Sequence, residues 1–161
     1  MNKITIRKAK SRDASIIIDL VHDLLNEIMT KTGQPHFSLA TQKGVKLLKR
    51  WLRNRQYTVL LAEEKGHVVG CLSLVESFAI YVEGAYGIIP ELYISPKWRS
   101  QMIGERLLTE ADQIAVKRGW CRLELTTPPL PEFDRTRAFY LKCGFEKTGG
   151  HKMKRSVVAV L

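Results

Sequence analysis

An α/β fold with a mixed central sheet is what this sequence predicts, on three observations. Short apolar runs with period-two alternation recur along the chain, and two longer segments repeat apolar residues at helical spacing. Between them, Glu91 to Arg118 joins both periodicities in one strand–turn–helix unit. The chain of 161 residues suffices for one domain with a sizeable core, so residues 1–161 are read as a single domain.

Taken in order, Lys3 to Lys8 alternates Ile4 and Ile6 with polar residues and suits a half-buried strand. Ser11-Arg12-Asp13 starts a helix, with Asp13 as its cap. That helix runs to about Met29, with Ile17, Leu20, Val21, Leu24, Leu25 and Ile28 on one face. Asp19, His22, Asp23 and Asn26 fall on the opposite, solvated face. Thr30 to Phe37 is a loop broken by Gly33 and Pro35. A second helix, Leu39 to Asn54, points Val45, Leu48, Trp51 and Leu52 inward and Lys43, Lys46, Lys49 and Arg50 outward.

Tyr57 to Ala62 and Val68 to Val75 are strands joined by a hairpin turn at Glu63-Glu64-Lys65-Gly66. Ser77 to Tyr86 extends the third strand before a turn at Glu83-Gly84. Ala85 to Ile94 is a fourth strand, with Gly87 and Pro90 as signs of a bulge. Ser95-Pro96 ends it, because proline removes a backbone donor. The helix that follows repeats Ile103, Leu107, Leu108, Ala111, Ile114 and Ala115, with Ser100 to cap its start and Gly119 to close it. Cys121 to Thr126 is a fifth strand and Thr127 to Phe133 a proline-rich loop. Asp134 caps a short helix to Lys142, ended by Gly144. Phe145 to Thr148 and His151 to Val158 form a last hairpin over Gly149-Gly150. The sum is about seven strands and about four helices.

Composition narrows the function classes. No apolar run approaches membrane-spanning length, and no signal-peptide pattern opens the chain. Cys71, Cys121 and Cys143 are widely spaced in apolar surroundings. They read as buried reduced thiols of a cytoplasmic protein, with no metal site. The net charge of +10 suits an anionic substrate, a nucleotide cofactor's phosphates or nucleic acid. No zinc finger, arginine-rich tail or aromatic RNA-binding signature accompanies it, which makes nucleic acid the minor alternative. There is no Walker Gly-Lys-Ser/Thr for nucleotide hydrolysis and no Gly-x-Ser-x-Gly elbow.

The strand–turn–helix at Glu91 to Arg118 leaves unpaired N–H groups at a helix N-terminus, where the macrodipole favours phosphate. Lys97, Arg99 and Arg106 surround it with positive charge. Its run Arg99-Ser100-Gln101-Met102-Ile103-Gly104 resembles the Arg/Gln-x-x-Gly-x-Gly/Ala pyrophosphate loop of the GNAT superfamily of N-acetyltransferases, with Met102 in place of the first glycine. Ala138-Phe139-Tyr140-Leu141-Lys142-Cys143-Gly144-Phe145 resembles the family's Phe-Tyr-x-x-x-Gly-Phe element. The element order fits that fold over nearly the whole chain.

The resemblance implies a mostly antiparallel sheet and transfer of an acetyl group from acetyl-coenzyme A to a primary amine, with no covalent enzyme intermediate. It assigns the pantetheine arm to Leu92, Tyr93 and Ile94. The pyrophosphate falls to the loop and helix start: Arg99, Ser100, Gln101, Met102, Ile103, Gly104, Glu105 and Arg106. It makes Tyr140 the general acid beside the sulfur and Glu91 the carboxylate that draws a proton from the amine, directly or through water. His36 and Phe37, in the loop between the first two helices, are implied acceptor contacts. The acceptor is a small-molecule amine, or a protein N-terminus or lysine; oligomeric state stays open, a homodimer included. The alternative is a non-catalytic GNAT fold that senses acyl-coenzyme A or binds RNA or the ribosome. Met102, and an asparagine that many relatives carry ahead of the Phe-Tyr helix and this chain lacks, favour that alternative. Asp134 stands near the asparagine's place and is read as a helix cap.

Overall fold

Alternating apolar residues give the first strand, β1 (Ile4–Lys8), with Ile4 buried and Thr5 exposed. The computed structural model describes residues 3–35 and 37–157. The chain divides into two compact units, Met1–Leu125 and Thr126–Leu161.

In the first unit β1 is followed by helices α1 (Ala14–Thr32) and α2 (Thr41–Arg53), then strands β2 (Thr58–Glu64), β3 (His67–Ala79), β4 (Gly84–Ile88) and β5 (Leu92–Ile94). Helix α3 (Ile103–Arg118) and strand β6 (Leu123–Glu124) complete it. The strands lie in the order β1-β2-β3-β4-β6, with β5 on β3 as well. Every pairing is antiparallel except β4 with β6.

Side chains alternate across the sheet. Val59, Leu61, Cys71 and Tyr93 therefore face one side, where they form a core with Ala14, Ile17, Ile18 and Leu20 of α1 and Leu48 of α2. Leu60, Leu72 and Leu74 take the opposite face, on which α3 packs with Leu107, Ala111 and Ile114 buried. The hairpin turn expected at Glu63-Glu64-Lys65-Gly66 narrows to Lys65-Gly66, with Glu63 and Glu64 still in β2. Glu64 pairs with His67 across it, and both turn residues have positive φ, 49° and 82°, as the tightest hairpin turn requires. Gly33 and Gly119 close α1 and α3 in the left-handed conformation, with φ of 66° and 69°.

Five expectations for this unit need correction. Helix α1 runs three residues past Met29, to Thr32. Asp13 stands at its cap position, but a 3₁₀ turn at Ser11–Asp13 aims the carboxylate backwards. There it accepts the Lys10 N–H at 2.7 Å and both terminal nitrogens of Arg7 at 2.8 and 2.9 Å. The fourth strand is two strands, β4 and β5, because Ile89-Pro90-Glu91 breaks the ladder. The fifth strand shrinks to the two residues of β6. Finally, only Cys71 is a buried thiol; Cys121 is exposed and Cys143 half-buried.

In the second unit α4 (Asp134–Lys142) carries Tyr140 on its buried side. Asp134 is its first residue and not its cap, which is Phe133; the Asp134 carboxylate lies 3.7 Å from the Arg137 guanidinium. The last hairpin does not form among residues 145–157, and Val158 lies outside the described residues. Residues 146–157 are exposed throughout. Of His151-Lys152-Met153-Lys154-Arg155 only Met153 is apolar, too little to give the segment a face to bury. The sheet therefore has six strands among the described residues, with four α-helices. No helix among them is long and apolar enough to cross a membrane.

Candidate functional site

The break between β4 and β5 creates the site. β4 is bonded to β6 and to β3, and Ile89 N–H still donates to the Glu124 carbonyl at 2.9 Å. The next N–H on that side by alternation is that of Glu91, and it turns instead to Ser73 Oγ at 3.0 Å. Beyond it, β5 pairs with β3 alone among the described residues. Ser73 N–H donates to the Glu91 carbonyl and Ser95 N–H to the Val69 carbonyl, both at 2.9 Å. In an antiparallel ladder the groups of alternate residues point the same way. Glu91, Tyr93 and Ser95 thus turn towards β3, while Leu92 and Ile94 turn their N–H and C=O to the open edge. The Ile94 carbonyl is taken by Arg99 Nε at 2.9 Å. The Leu92 N–H and C=O and the Ile94 N–H remain on that edge.

Ser95 leads into a 3₁₀ turn, Pro96–Trp98, and then into the loop before α3. Here the structure overturns a sequence expectation. The helix starts at Ile103 and Met102 is its cap residue, in the left-handed region at φ 60°, ψ 16°. Ser100 is not the cap and is also left-handed, at φ 59°. Met102 therefore does not sit in a helical turn with ordinary negative φ; it adopts the conformation that the family's glycine would adopt without strain. A left-handed residue followed by a helical one turns successive N–H groups into one concavity, an anion-binding arrangement. The N–H groups of Met102, Ile103 and Gly104 form it here, at the positive end of α3.

The expected ring of positive charge is thinner than the sequence implies. Arg99 spends its guanidinium on Glu27 of α1, at 3.0 and 2.6 Å, and lies 5.4 Å from the centre of the Tyr93 ring. Its Glu27 partner is held below its ordinary pKa chiefly by that hydrogen bond. Arg106 donates to the Ile4 carbonyl at 2.9 Å, tying α3 to β1, and Gln101 donates to the Lys97 carbonyl at 3.2 Å. Glu105 lies in the first turn of α3, half-buried. What this loop offers an anion is therefore backbone N–H groups more than side-chain charge.

Glu91 stands at the head of the open edge and is not an exposed strand end. Its carboxylate is half-buried and meets two hydroxyls that sequence reasoning missed. Ser73 of β3 makes a short hydrogen bond to Oε2, and the Tyr57 phenol lies 3.1 Å from Oε2 and 3.3 Å from Oε1. Burial raises the Glu91 pKa above the usual carboxylate range, with the two hydroxyl donors opposing it. The same burial, reinforced by the Glu91 charge, pushes the Cys71 thiol up to about 12 and raises the Tyr57 phenol. A signal for Ser73 was present: it is the one hydroxyl in the apolar run Val68 to Val75.

Tyr140 belongs to the second unit, buried between the rings of Phe139 and Phe145, whose centres are 5.3 and 5.5 Å away. Burial pushes its phenol up to about 12. The group is a proton donor throughout the neutral range. His36 lies outside the described residues, and Phe37 is exposed.

A family model described as an acetyltransferase (GNAT) domain matches residues 55–147. The chain is 28% identical over 147 residues to the uncharacterized N-acetyltransferase YhfO of Bacillus subtilis, covering 91% of this chain and 93% of that one. It is 36% identical over 88 residues to the aminoalkylphosphonate N-acetyltransferase of Salmonella typhimurium, covering 55% and 56%. Among solved structures it resembles a predicted acetyltransferase with acetyl-CoA from Clostridium acetobutylicum. The TM-score there is 0.78 at 19% identity, with 95% and 96% of the two chains covered.

Proposed function

This chain belongs to the GNAT acetyltransferase family, and we propose that it moves an acetyl group from acetyl-coenzyme A directly to a primary amine, with residues 1–161 acting as one domain. The observation that carries the proposal is the juxtaposition in one short stretch of an open strand edge, a cluster of N–H groups and a buried carboxylate. The edge of Leu92, Tyr93 and Ile94 suits an extended amide-bearing arm, which pairs as a strand would. The N–H groups from Met102 to Gly104 suit the pyrophosphate, with Arg99 and Arg106 bracing the loop and Ser100, Gln101, Ile103 and Glu105 shaping it.

The cofactor supplies the activated acetyl thioester; the chain supplies orientation and proton transfer. An amine attacks only when neutral, and Glu91 is the base that takes its proton. A carboxylate raised above its usual pKa by burial is better matched to that task than an exposed one. Tyr140 is the proton donor to the departing sulfur. Its raised pKa keeps it protonated at neutral pH, and makes it a hydrogen-bond donor first and a full acid only as the sulfur's charge develops.

The acceptor is a small amine or a protein N-terminus or lysine; the Salmonella relative's name supports the small-amine class. The reduced cysteines Cys71, Cys121 and Cys143, joined in no disulfide, suit the reducing cytoplasm. The strained Met102 and the neutralised Arg99 favour one second reading, a GNAT fold that binds acyl-coenzyme A or RNA without catalysis.

The test has two stages. Acetyl-coenzyme A should raise the melting temperature with concentration, and a panel of amines should then release free thiol from it. No melting shift at millimolar cofactor with folded protein overturns the proposal, and a shift without turnover on any amine promotes the second reading. With a productive amine, Tyr140→Phe should lose about two to four orders of magnitude in rate while cofactor affinity barely moves.

A further inference from the structure

We infer that Tyr57 and Ser73 are positioning residues for Glu91: together they hold its carboxylate in place to receive the acceptor's proton. The inference rests on the proposed role of Glu91 as base and specifies what fixes it.

A hydroxyl has one proton to give. Ser73 Oγ accepts the Glu91 N–H at 3.0 Å, and its own proton goes to Oε2 in a short hydrogen bond. The Tyr57 phenol also has one proton, and Oε2 is the nearer of its two choices, 3.1 against 3.3 Å. Both donors thus converge on Oε2, and the phenol also lies within hydrogen-bond reach of Oε1. The donors are themselves fixed. Tyr57 stacks on Trp51, near the end of α2, with ring centres 5.3 Å apart and planes 28° apart. Its N–H donates to the Trp51 carbonyl at 3.3 Å. Ser73 sits mid-strand in β3, its N–H on the Glu91 carbonyl at 2.9 Å.

The electrostatic setting is simple. From β3 the carboxylate meets Ser73 and the Cys71 thiol, and from the start of β2 it meets Tyr57. Among the described residues no lysine, arginine or histidine pairs with it. Its basicity is set by burial in one direction and the two hydroxyls in the other, with no ion pair to pin it in the charged form. In the transfer the ammonium N–H bond breaks and its electron pair stays on nitrogen. The proton forms a new bond at a Glu91 carboxylate oxygen, directly or through one water, while Tyr57 and Ser73 keep theirs.

Carboxyl NMR titration of Glu91 in the full chain reads this without an acceptor, with Glu91→Gln identifying the resonance. Tyr57→Phe keeps the stack on Trp51 and removes only the hydroxyl; Ser73→Ala removes the other donor. Each substitution should move the Glu91 titration to higher pH. With a productive amine, Tyr57→Phe should also shift the acidic limb of kcat/KM upward, while the melting shift given by acetyl-coenzyme A stays as in wild type. An unmoved titration in folded Tyr57→Phe protein overturns the inference. If Glu91→Gln loses activity chiefly near neutral pH and Tyr57→Phe leaves the limb unmoved, this inference alone falls. If Glu91→Gln shows no such loss, the role of Glu91 as base falls with it.

Discussion

Met102→Gly puts the unusual loop to the most direct test. Met102 is at φ 60°, ψ 16° and is 67% exposed, so its side chain gains little from burial while its backbone bears a left-handed conformation. That conformation costs an ordinary residue about 1–2 kcal/mol, because Cβ crowds the following carbonyl. Glycine escapes the clash but loses about 0.5–1 kcal/mol more chain entropy on folding. The difference favours the glycine variant by about 0.5–1 kcal/mol. At this chain length 1 kcal/mol moves Tm by about 2–4 °C, so a rise of about 1–4 °C is expected in a thermal melt. Met102→Ala is the control, since it keeps Cβ and the strain and should leave Tm near wild type. A glycine variant no more stable than wild type, or an alanine variant that gains as much, refutes the strain argument. Calorimetric titration with coenzyme A adds a second readout. Both residues present the same N–H at 102, so affinities within about tenfold, or 1.4 kcal/mol, are expected. A much larger gain for glycine means that the thioether obstructs the loop and moves the non-catalytic reading ahead.

Other parts of the fold carry their own expectations. Arg7 beside Asp13 lowers its carboxyl from the usual 3.8 to about 2, so the pair's stabilisation is present above pH 3.8 and is lost as pH falls through about 2. Asp13→Asn should therefore cost about 1–2 kcal/mol in neutral urea unfolding, allowing for solvent at the partly exposed Arg7, with variant and wild type converging near pH 2. At Gly87 a Cβ would lie 2.5 Å from two Trp120 ring carbons and 2.6 Å from Leu123 Cδ2. Gly87→Ala should destabilise by about 1–3 kcal/mol through overpacking, read as a lower urea midpoint at unchanged slope. Glu91 has the opposite sign to Asp13. Its raised pKa means that wild type loses stability as pH climbs through the folded-state value, so Glu91→Gln should melt higher than wild type at pH 7–8 and no higher at pH 4.

Local chemistry was the legible part of this chain. Glu63-Glu64-Lys65-Gly66 announced a hairpin, narrowed in the structure to Lys65-Gly66, Gly119 announced a helix end, and the 3.6-residue period placed α1, α2 and α3. Less legible were features decided by what lies across the sheet. Tyr57, Ser73 and Glu91 are far apart in the chain and meet only through the registers of β2 on β3 and β3 on the segment entering β5. No spacing rule displays that. The start of α3 was misread because Ser100 is a good cap by residue type, whereas two left-handed residues in the loop carry the helix start on to Ile103. The family's glycine at the Met102 position was the available clue to positive φ. The last hairpin failed for a simpler reason: from His151 to Arg155, Met153 is the one apolar side chain, too little for a face to bury.

Pro90 stands in the break that sets the Glu91 carboxylate beside the open strand edge. The ladder to β6 ends at Ile89, and Pro90 follows it directly. Glu91 then gives its N–H and its carboxylate to the same Ser73, which fixes the direction in which the strand resumes. Leu92 follows directly, and with it the open edge. The Glu91 carboxylate and that edge are thus separated by one residue of extended chain, about 3.3 Å. Their relative position is set by covalent geometry and by Ser73. Phe37, expected from the resemblance to contact the acceptor, sits instead on an exposed loop, where side chains vary without disturbing that geometry.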